Sequence, residues 1–137
     1  MADIAVNPFL MGDAVLTFAS DGYAAHVSSA AFTPGNNSPV TWKGLTPTSV
    51  YSFGQNATWT LDLEYAQDWS TANSLSRRLF EDEGEEVAVV LEPVNGGPGI
   101  SATIIITPGA VGGAVDNVAT ATVSLGVKGK PVLEAVA

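Results

Sequence analysis

The strongest constraint on the fold is a two-residue alternation of apolar and polar side chains between Ala57 and Tyr65. Successive side chains of a strand point to opposite faces of a sheet, so this period predicts a strand with one packed face. The apolar positions are Trp59, Leu61, Leu63 and Tyr65, and the polar positions are Thr58, Thr60, Asp62 and Glu64. We therefore expect a sheet with one buried face and one polar, acidic face.

Two more strands and a hairpin are predicted in the second half of the chain. Glu85–Glu92 and Ile100–Thr107 flank the turn sequence Asn95-Gly96-Gly97-Pro98-Gly99, and together they predict a hairpin. Val118–Lys128 predicts the last strand, because its alternate residues are apolar. The inward positions of that strand are predicted to be Ala119, Ala121, Val123, Leu125 and Val127.

A shorter hairpin is predicted near the start of the chain. Ala14–Phe18 and Tyr23–Val27 are short strand-like segments on either side of Asp21-Gly22, a dipeptide typical of turns. Its strands are the weakest of those predicted from the sequence.

One helix is predicted, over Ser70–Phe80, with Ser70 capping its N-terminus. Its apolar face comprises Ala72, Leu75 and Leu79, with Phe80 beside them. The acidic residues 81–83 oppose the helix dipole at the C-terminus, so the helix should end near Phe80. The predicted fold class is thus mainly β with one α-helix, arranged as an antiparallel β-sandwich or partly open barrel.

We expect a single domain over residues 1–137, with three segments outside its compact part. Residues 1–12 predict an N-terminal arm, because Asn7-Pro8 interrupts regular structure and apolar residues follow. Residues 30–56 contain two Pro-rich stretches and predict a long exposed loop region, with a strand at Val40–Leu45. Residues 132–137 predict an apolar C-terminal tail.

Charge is sparse and unevenly distributed along the chain. Charged residues make up 14% of the sequence, against about 25% in an ordinary soluble domain, so large neutral surface areas are expected. The net charge is −9, and residues 62–92 contribute most of it, with nine acids against Arg77 and Arg78. No basic patch is present, which argues against tight binding of nucleic acid. The acidic turn after the helix predicts either a solvated surface or a patch that selects an interface.

The sequence contains no cysteine, which excludes disulfides, thiolate metal sites and cysteine nucleophiles. Residues 1–12 lack the basic start of a signal peptide. The longest aliphatic runs, Val87–Leu91 and Ile104–Ile106, are far shorter than the ~20 residues that span a bilayer, so no membrane partner is expected. We expect a soluble protein that is made in a cytoplasm.

No arrangement of residues predicts catalysis. His26 is the only histidine and has no nucleophile or orienting acid at a recognisable spacing. Asp62, Glu64 and Asp68 lack the spacing of a calcium loop. The Gly96-Gly97-Pro98-Gly99 sequence lacks the Lys and Ser or Thr of a phosphate loop. We therefore expect no catalytic residue, no metal site and no cofactor, and hence no enzyme.

The order of these segments resembles that of siphophage major tail proteins, which form the tail tube. The likeness begins with Thr58–Asp68, which resembles their central strand, and continues with a helix like Ser74–Leu79. A strand like Glu86–Pro93 and a closing strand like Ala119–Pro131 complete it. It covers roughly Ala57 to Pro131, and the tube proteins of phages that infect actinobacteria look most similar.

The resemblance implies a structural virion protein of the phage tail-tube type. Its subunits would form hexameric rings that stack into a non-contractile tube, with strands from each subunit joined in an inner β-barrel and DNA passing through the lumen. The implied partners are further copies of the chain and other tail proteins such as the tape measure, terminator and tail tip, with DNA only in transit. The protein would be assembled in the bacterial cytoplasm and would reside in the virion tail.

The resemblance also implies roles for particular segments. The long loop, the arm and the tail would make contacts between rings, and their candidate contact residues are Phe9, Leu10, Pro34, Asn36, Asn37, Pro39, Trp42, Pro47, Val132 and Leu133. The predicted lumen-facing residues are Asp62, Glu64, Thr120 and Thr122, although the same face would also suit a solvated outer wall.

Two other functions fit the sequence. One is a different ring component of a phage tail or injection system, such as a terminator. The other is a monomeric β-sandwich binding module that uses residues 30–56 as its binding loop.

Overall fold

The computed structural model describes residues 3–35 and 38–134. The chain is mainly β, with 42% of the described residues in strands, one short helix and antiparallel sheets. The strands are β1 (Val15–Phe18), β2 (Asp21–Gly22), β3 (Val27–Gly35), β4 (Val40–Lys43), β5 (Val50–Phe53), β6 (Thr58–Ala66), β7 (Glu86–Glu92), β8 (Ile100–Ile105), β9 (Thr120–Val127) and β10 (Val132–Leu133). The helix α1 spans Leu75–Glu81.

Eight strands form one sheet in the order β2-β1-β7-β8-β9-β6-β3, and β10 also pairs with β8. β4 and β5 form a separate two-stranded sheet. The large sheet has two halves, the first formed by β2, β1, β7 and β8 and the second by β9, β6 and β3. They are weakly joined, because β9 pairs with β6 over most of its length but with β8 only through Gly126 and Val127. β10 then continues along β8. The chain from β9 to β10 thus passes from one half of the sheet to the other.

The change of partner occurs at an irregularity in this segment. Ile104 lies opposite Val127, whereas Ser101 lies opposite Val132. An advance of three residues along β8 therefore corresponds to an advance of five residues along the segment from β9 to β10. Gly129 lies between these pairs and has a φ of +87°, which glycine adopts without steric cost. Extra residues of this kind bend a strand, and such bends form the corners of packed sheets.

One cluster of buried side chains takes residues from both halves of the sheet and from the helix. Leu16, Val89 and Ile104 come from the first half, and Leu61 and Leu125 come from the second. Leu75 and Leu79 of α1 are completely buried in the same cluster. This arrangement is consistent with a β-sandwich.

The alternation predicted for three strands is confirmed. In β6, Leu61, Leu63 and Tyr65 are buried, and in β7 the buried residues are Val87, Val89 and Leu91. The hairpin of β7 and β8 is present, with Glu86 opposite Ile105. In β9, Ala121 and Leu125 are buried, Val123 and Val127 are partly buried, and Thr120, Thr122 and Ser124 are exposed.

The helix begins later than predicted. Its N-cap is Ser74, whose side chain accepts a hydrogen bond from the Arg77 backbone N–H, whereas Ser70 lies in a preceding turn. Asn73, immediately before the cap, has a φ of +61°, which no helical residue adopts. Ala72 is exposed and lies outside the helix, so its predicted place on the packed face was wrong.

The first predicted hairpin was wrong in detail. Asp21 and Gly22 are paired residues of β2, opposite Phe18 and Thr17, and the chain reverses before them at Ala19, which has a φ of +55°. Residues 23–26 form a turn rather than a strand.

The exposed region predicted over residues 30–56 starts earlier in the sequence than the exposed region of the structure. Residues 30–35 belong to β3, a nine-residue strand that pairs with β6 as far as Gly35 and Thr58. The strand predicted at Val40–Leu45 is present as β4, and β5 pairs with it. The exposed excursion therefore contains a β-hairpin, and Asn36 and Asn37 lie outside the described residues.

The two ends of the chain differ from each other. Residues 3–12 have no regular structure and are exposed. The predicted tail is not free at its start, because Val132 and Leu133 pair with Ser101 and Ile100 of β8. The Glu134 backbone N–H donates to the Gly99 carbonyl at 2.7 Å, which continues this pairing. Residues 135–137 lie outside the described residues.

Candidate functional site

The four predicted lumen residues share the outer face of strands β6 and β9. Glu64 lies directly opposite Thr122, and Thr120 lies opposite Ala66. Asp62 lies opposite Ser124 on the same face. β3 extends this face on the other side of β6, with Ser29 opposite Glu64. The result is a three-stranded surface, which we call the polar face; its outward residues are Ser29, Ala31, Thr33, Gly35, Thr58, Thr60, Asp62, Glu64, Ala66, Thr120, Thr122, Ser124 and Gly126.

The polar face carries two acids and no Lys, Arg or His at its outward positions. The Ser124 hydroxyl donates to Asp62 Oδ1 at 2.6 Å, and the Thr60 hydroxyl donates to the same oxygen at 3.4 Å. The hydrogen bond from Ser124 is the main reason that the pKa of Asp62 is lowered. Asp62 is therefore held in its charged form, and the surface is hydroxyl-rich and negative.

The strands beneath the polar face have two open edges. Among the described residues, β3 pairs only with β6, and β9 has no partner on its other side over residues 120–125. β3 contains no charged residue, and its regular edge runs over residues 29–33, between the register shift at Val27 and Ser29 and the proline at position 34. Sheet edges in proteins are usually short, charged or covered, because a long neutral edge pairs with other chains.

The open edge of β3 adjoins a cleft. Residues of β1, β3 and β7 line a space of about 390 Å³, among them Leu16, Val27, Ala30 and Leu91. Neither β1 nor β2 reaches across to pair with β3 in the part of the chain that the structure describes. The sheet is therefore not closed into a complete barrel.

The β4–β5 hairpin is a second exposed surface. All eight of its strand residues are exposed. Val40 pairs with Phe53 and Trp42 pairs with Tyr51, so these four side chains share one face, which we call the aromatic face. Their exposures are 48%, 61%, 58% and 56%, and the Trp42 and Tyr51 rings lie 5.9 Å apart. A two-stranded hairpin has marginal stability alone in water, and exposed apolar patches usually mark contact sites.

The candidate contact residues between rings are distributed over three regions. Pro39, Trp42 and Pro47 are exposed in or beside the hairpin, and Pro34 is exposed near the end of β3. Phe9 and Leu10 are 61% and 92% exposed in the arm. Val132 and Leu133 are exposed in β10. Asn36 and Asn37 cannot be placed, since they lie outside the described residues.

Sequence reasoning missed half of the aromatic face. Val50, Tyr51 and Phe53 are residue types typical of strands, whereas the sequence-based prediction places them in a loop. Pairing this segment with Val40–Lys43 across the intervening turn would have predicted the hairpin.

A second group of acidic residues, Asp21, Glu81 and Asp82, lies at the end of the helix. Arg78 binds Asp21 at 2.8 Å and lies 3.8 Å from Asp82, while Arg77 binds Glu81 at 3.3 Å. The Tyr23 hydroxyl donates to the Asn73 carbonyl, and Arg78 Nη1 lies 3.5 Å from the same hydroxyl. These contacts hold α1 against the β1–β2 hairpin, which is a structural role.

The residues considered for chemistry are not brought together. The His26 ring packs edge-on against Tyr23, with centroids 5.4 Å apart. Asp68 accepts hydrogen bonds from the backbone N–H groups of Ser70 and Thr71 and so shapes the turn before the helix. Over residues 3–35 and 38–134, no three His, Cys, Asp or Glu side chains cluster as metal ligands.

No helix within the described ranges is long and apolar enough to cross a membrane. A scan of protein-family models finds none that matches this chain, and a search of curated proteins finds no match either.

Proposed function

We propose that this chain is a structural subunit that assembles with copies of itself into the rings of a non-contractile phage tail tube, and that it is not an enzyme. The observation that carries the proposal is the polar face: a three-stranded surface with acids, hydroxyls and no cation, bounded by one open strand edge on each side. The resemblance of the chain, in the order of its elements, to siphophage tail-tube proteins supports the same function.

The two open edges differ from each other, so they suit a head-to-tail contact between copies. The outer edge of β3 would pair with residues 120–125 of β9 in the next copy. A contact between two different surfaces of identical subunits generates closed rings or helical stacks. Repetition around a ring would satisfy both edges of every copy and join the polar faces into one continuous wall.

The chemistry of the polar face suits a wall along which DNA passes. Protein–DNA affinity arises largely from Lys and Arg that neutralise phosphates. The outward positions supply Asp62 and Glu64 instead, among Thr and Ser residues. A lumen of this composition would repel the phosphate backbone and would not retain the DNA.

The remaining exposed surfaces are assigned to contacts between rings. The aromatic face of the hairpin, the arm with Phe9 and Leu10, and β10 all expose apolar side chains. The proposed location is the virion tail, and the proposed partners beyond the chain itself are the tape measure, terminator and tail tip proteins.

Negative-stain electron microscopy of the purified protein tests the proposal, together with a variant that lacks the hairpin. Because Gly35 pairs directly with Thr58, residues 36–57 can be replaced by a two-residue Asn-Gly turn without disturbing β3 or β6. We expect rings or tubes from the natural chain. The variant should fold, with a β-rich circular dichroism spectrum and a cooperative thermal transition, but form no tubes.

A monomeric binding module is the second candidate, and the exposed aromatic face favours it. That function predicts a stable monomer in which the hairpin binds a different protein. Rings that never stack would instead indicate another ring component, such as a terminator.

A further inference from the structure

The open edge of β9 presents backbone groups that belong to residues of the polar face. The Gln67 backbone N–H donates to the Ala119 carbonyl at 2.9 Å. The N–H and C=O groups of a strand residue point to the same side of the strand, and that side alternates from one residue to the next. Odd-numbered residues of β9 therefore bond to β6. The residues that direct both groups to the open edge are Thr120, Thr122 and Ser124, all on the polar face.

The open edge of β3 has the opposite arrangement. The Ala66 backbone N–H donates to the His26 carbonyl at 2.9 Å, so even-numbered residues of β6 bond to β3. Their partners along the regular part of β3 are Ser29, Ala31 and Thr33. Ala30 and Phe32 therefore direct their N–H and C=O groups to the open edge. Both side chains are partly buried against the core, on the reverse of the polar face.

This difference decides how the two edges can pair with each other. In an antiparallel pair, residues that point at the partner strand lie opposite each other and share a face of the sheet. In a parallel pair, each such residue lies opposite one that points away. Antiparallel pairing of β3 with β9 would therefore place the polar face of one copy beside the core-facing side of the next. Only parallel pairing keeps both faces continuous from copy to copy.

The symmetry of a ring leads to the same direction. β3 and β9 each run antiparallel to β6, so they run parallel to each other within one chain. Rotation about the axis of a ring leaves the direction of every strand along that axis unchanged. The β9 strand of a neighbouring copy therefore also runs parallel to β3.

We propose that neighbouring copies join through a parallel pairing of β3 with β9, in which Ala30 lies opposite Ala121 and Phe32 lies opposite Val123. This inference rests on the proposed self-assembly and specifies the junction between copies. Phe32 and Val123 are both only partly buried in the single chain, so the junction covers apolar surface as well as joining backbone groups.

The register follows from which backbone groups are open. Pro34 has no N–H, so Ala30 and Phe32 are the donors on the regular edge of β3. In the proposed register Ala30 lies between positions 120 and 122, and Phe32 lies between positions 122 and 124. A shift by two residues would take one of them to position 118, before β9 begins, or to Gly126, which pairs with β8.

Paired cysteines test direction and register, because the chain contains no cysteine of its own. The proposed junction brings position 29 opposite 120 and position 33 opposite 124. Antiparallel pairing of the same segments brings 29 opposite 124 and 33 opposite 120. We expect Ser29→Cys with Thr120→Cys, and Thr33→Cys with Ser124→Cys, to give a ladder of disulfide-linked copies when assembled protein is oxidised.

The exchanged combinations are matched controls that use the same four substitutions. Ser29→Cys with Ser124→Cys, and Thr33→Cys with Thr120→Cys, should stay unlinked, since parallel pairing leaves these positions about 13 Å apart. Within one chain β6 separates β3 from β9 by about 10 Å, which is too far for a disulfide. Links in the exchanged combinations, or assemblies in which no combination links, overturn the parallel junction and leave self-assembly in place. A natural chain that stays monomeric contradicts both this inference and the proposed function.

Amide hydrogen exchange gives a second test that needs no substitution. Assembly should slow the exchange of the Ala30, Phe32, Thr122 and Ser124 amides at least about 10-fold, since these N–H groups gain partners only at the junction. The Ala31 amide bonds to β6 in the single chain and is the control, protected before and after assembly. Unchanged exchange of the first four amides in assembled protein would overturn the junction.

Discussion

The loop between β8 and β9 passes so close to Tyr65 that one added methyl group should disturb it. A Cβ atom built on Gly109 would overlap the Tyr65 hydroxyl oxygen and lie 3.2 Å from the ring carbon Cζ. Tyr65 is only 2% exposed and cannot swing aside. The loop cannot simply lift away either, because the Gln67 side chain accepts from the Gly112 N–H and donates to the Gly112 carbonyl, both at 2.9 Å.

Gly109→Ala should therefore destabilise the fold as an overpacked core does, by about 1–3 kcal/mol. For a chain of 137 residues, this corresponds to a fall in Tm of roughly 3 to 15 °C. The free energy of unfolding is measured by urea denaturation, monitored by circular dichroism, at a concentration where the protein is monomeric. The backbone of Gly109 is not left-handed, so the substitution adds no strain of its own.

Two further variants show whether the contact with Tyr65 is the cause. A Cβ atom on Gly113 would have its nearest neighbour at 3.7 Å, so Gly113→Ala should change stability by less than about 0.5 kcal/mol. Tyr65→Phe removes the overlapping oxygen and should relieve part of the cost of Gly109→Ala, with a coupling of at least about 0.5 kcal/mol in a double-mutant cycle. If Gly109→Ala matches Gly113→Ala, or the cycle shows no coupling, this packing is not present in solution.

Three other predictions follow from individual side chains. Hydrogen bonds from Thr71, with smaller contributions from Ser70, lower the pKa of Asp68 to about 2 from an ordinary 3.8. The stability that these hydrogen bonds give is complete above pH 3.8 and is lost as the pH falls towards 2. Thermal melts from about pH 2 to 6 should therefore show a smaller acid-induced fall in Tm for Asp68→Asn than for the natural chain. Leu61→Ala, in the core, should lower the free energy of unfolding by about 2–5 kcal/mol in the same denaturation assay. Leu45→Ala, at a fully exposed position, should lower it by less than about 0.5 kcal/mol. Equal losses would contradict the described core. Ser124→Ala removes the main hydrogen bond to Asp62 and should raise the pKa of that carboxyl in an NMR titration, which an unchanged pKa would disprove.

The parts of the fold that sequence reasoning predicts well are those where one face of a strand is fully packed. β6, β7 and β9 alternate clearly because their inward residues are apolar and most of them are Leu or Val. β3 does not, because small residues occupy much of it and its register shifts between Val27 and Ser29. That strand exists because β6 lies beside it, and a partner of this kind overrides weak local preference.

The start of the helix shows how local chemistry can mislead. Ser70 and Ser74 are the same residue type, so the preference for serine as a cap does not by itself choose between them. Asp68 binds the N–H groups of Ser70 and Thr71, and the left-handed Asn73 separates them from the helix. The turn that Asp68 forms with Ser70 and Thr71 therefore keeps these residues out of the helix, and Ser74 becomes its N-cap.

The candidate site could be predicted only as separate parts. The acidic alternation of β6 indicates a polar face, but the sequence does not show that β9 lies beside β6 with Thr122 opposite Glu64. Cross-strand register depends on contacts between residues about 60 positions apart, as between Asp62 and Ser124. The open edges likewise become visible only when the strand order is known.

The mass of the protein in solution, measured as a function of its concentration, tests the central claim most directly. The subunit mass is 14.0 kDa. Self-assembly through the open edges predicts particles at integral multiples of that mass, growing into rings or tubes as the concentration rises. A single 14.0 kDa species that persists at the highest concentration reached would contradict it.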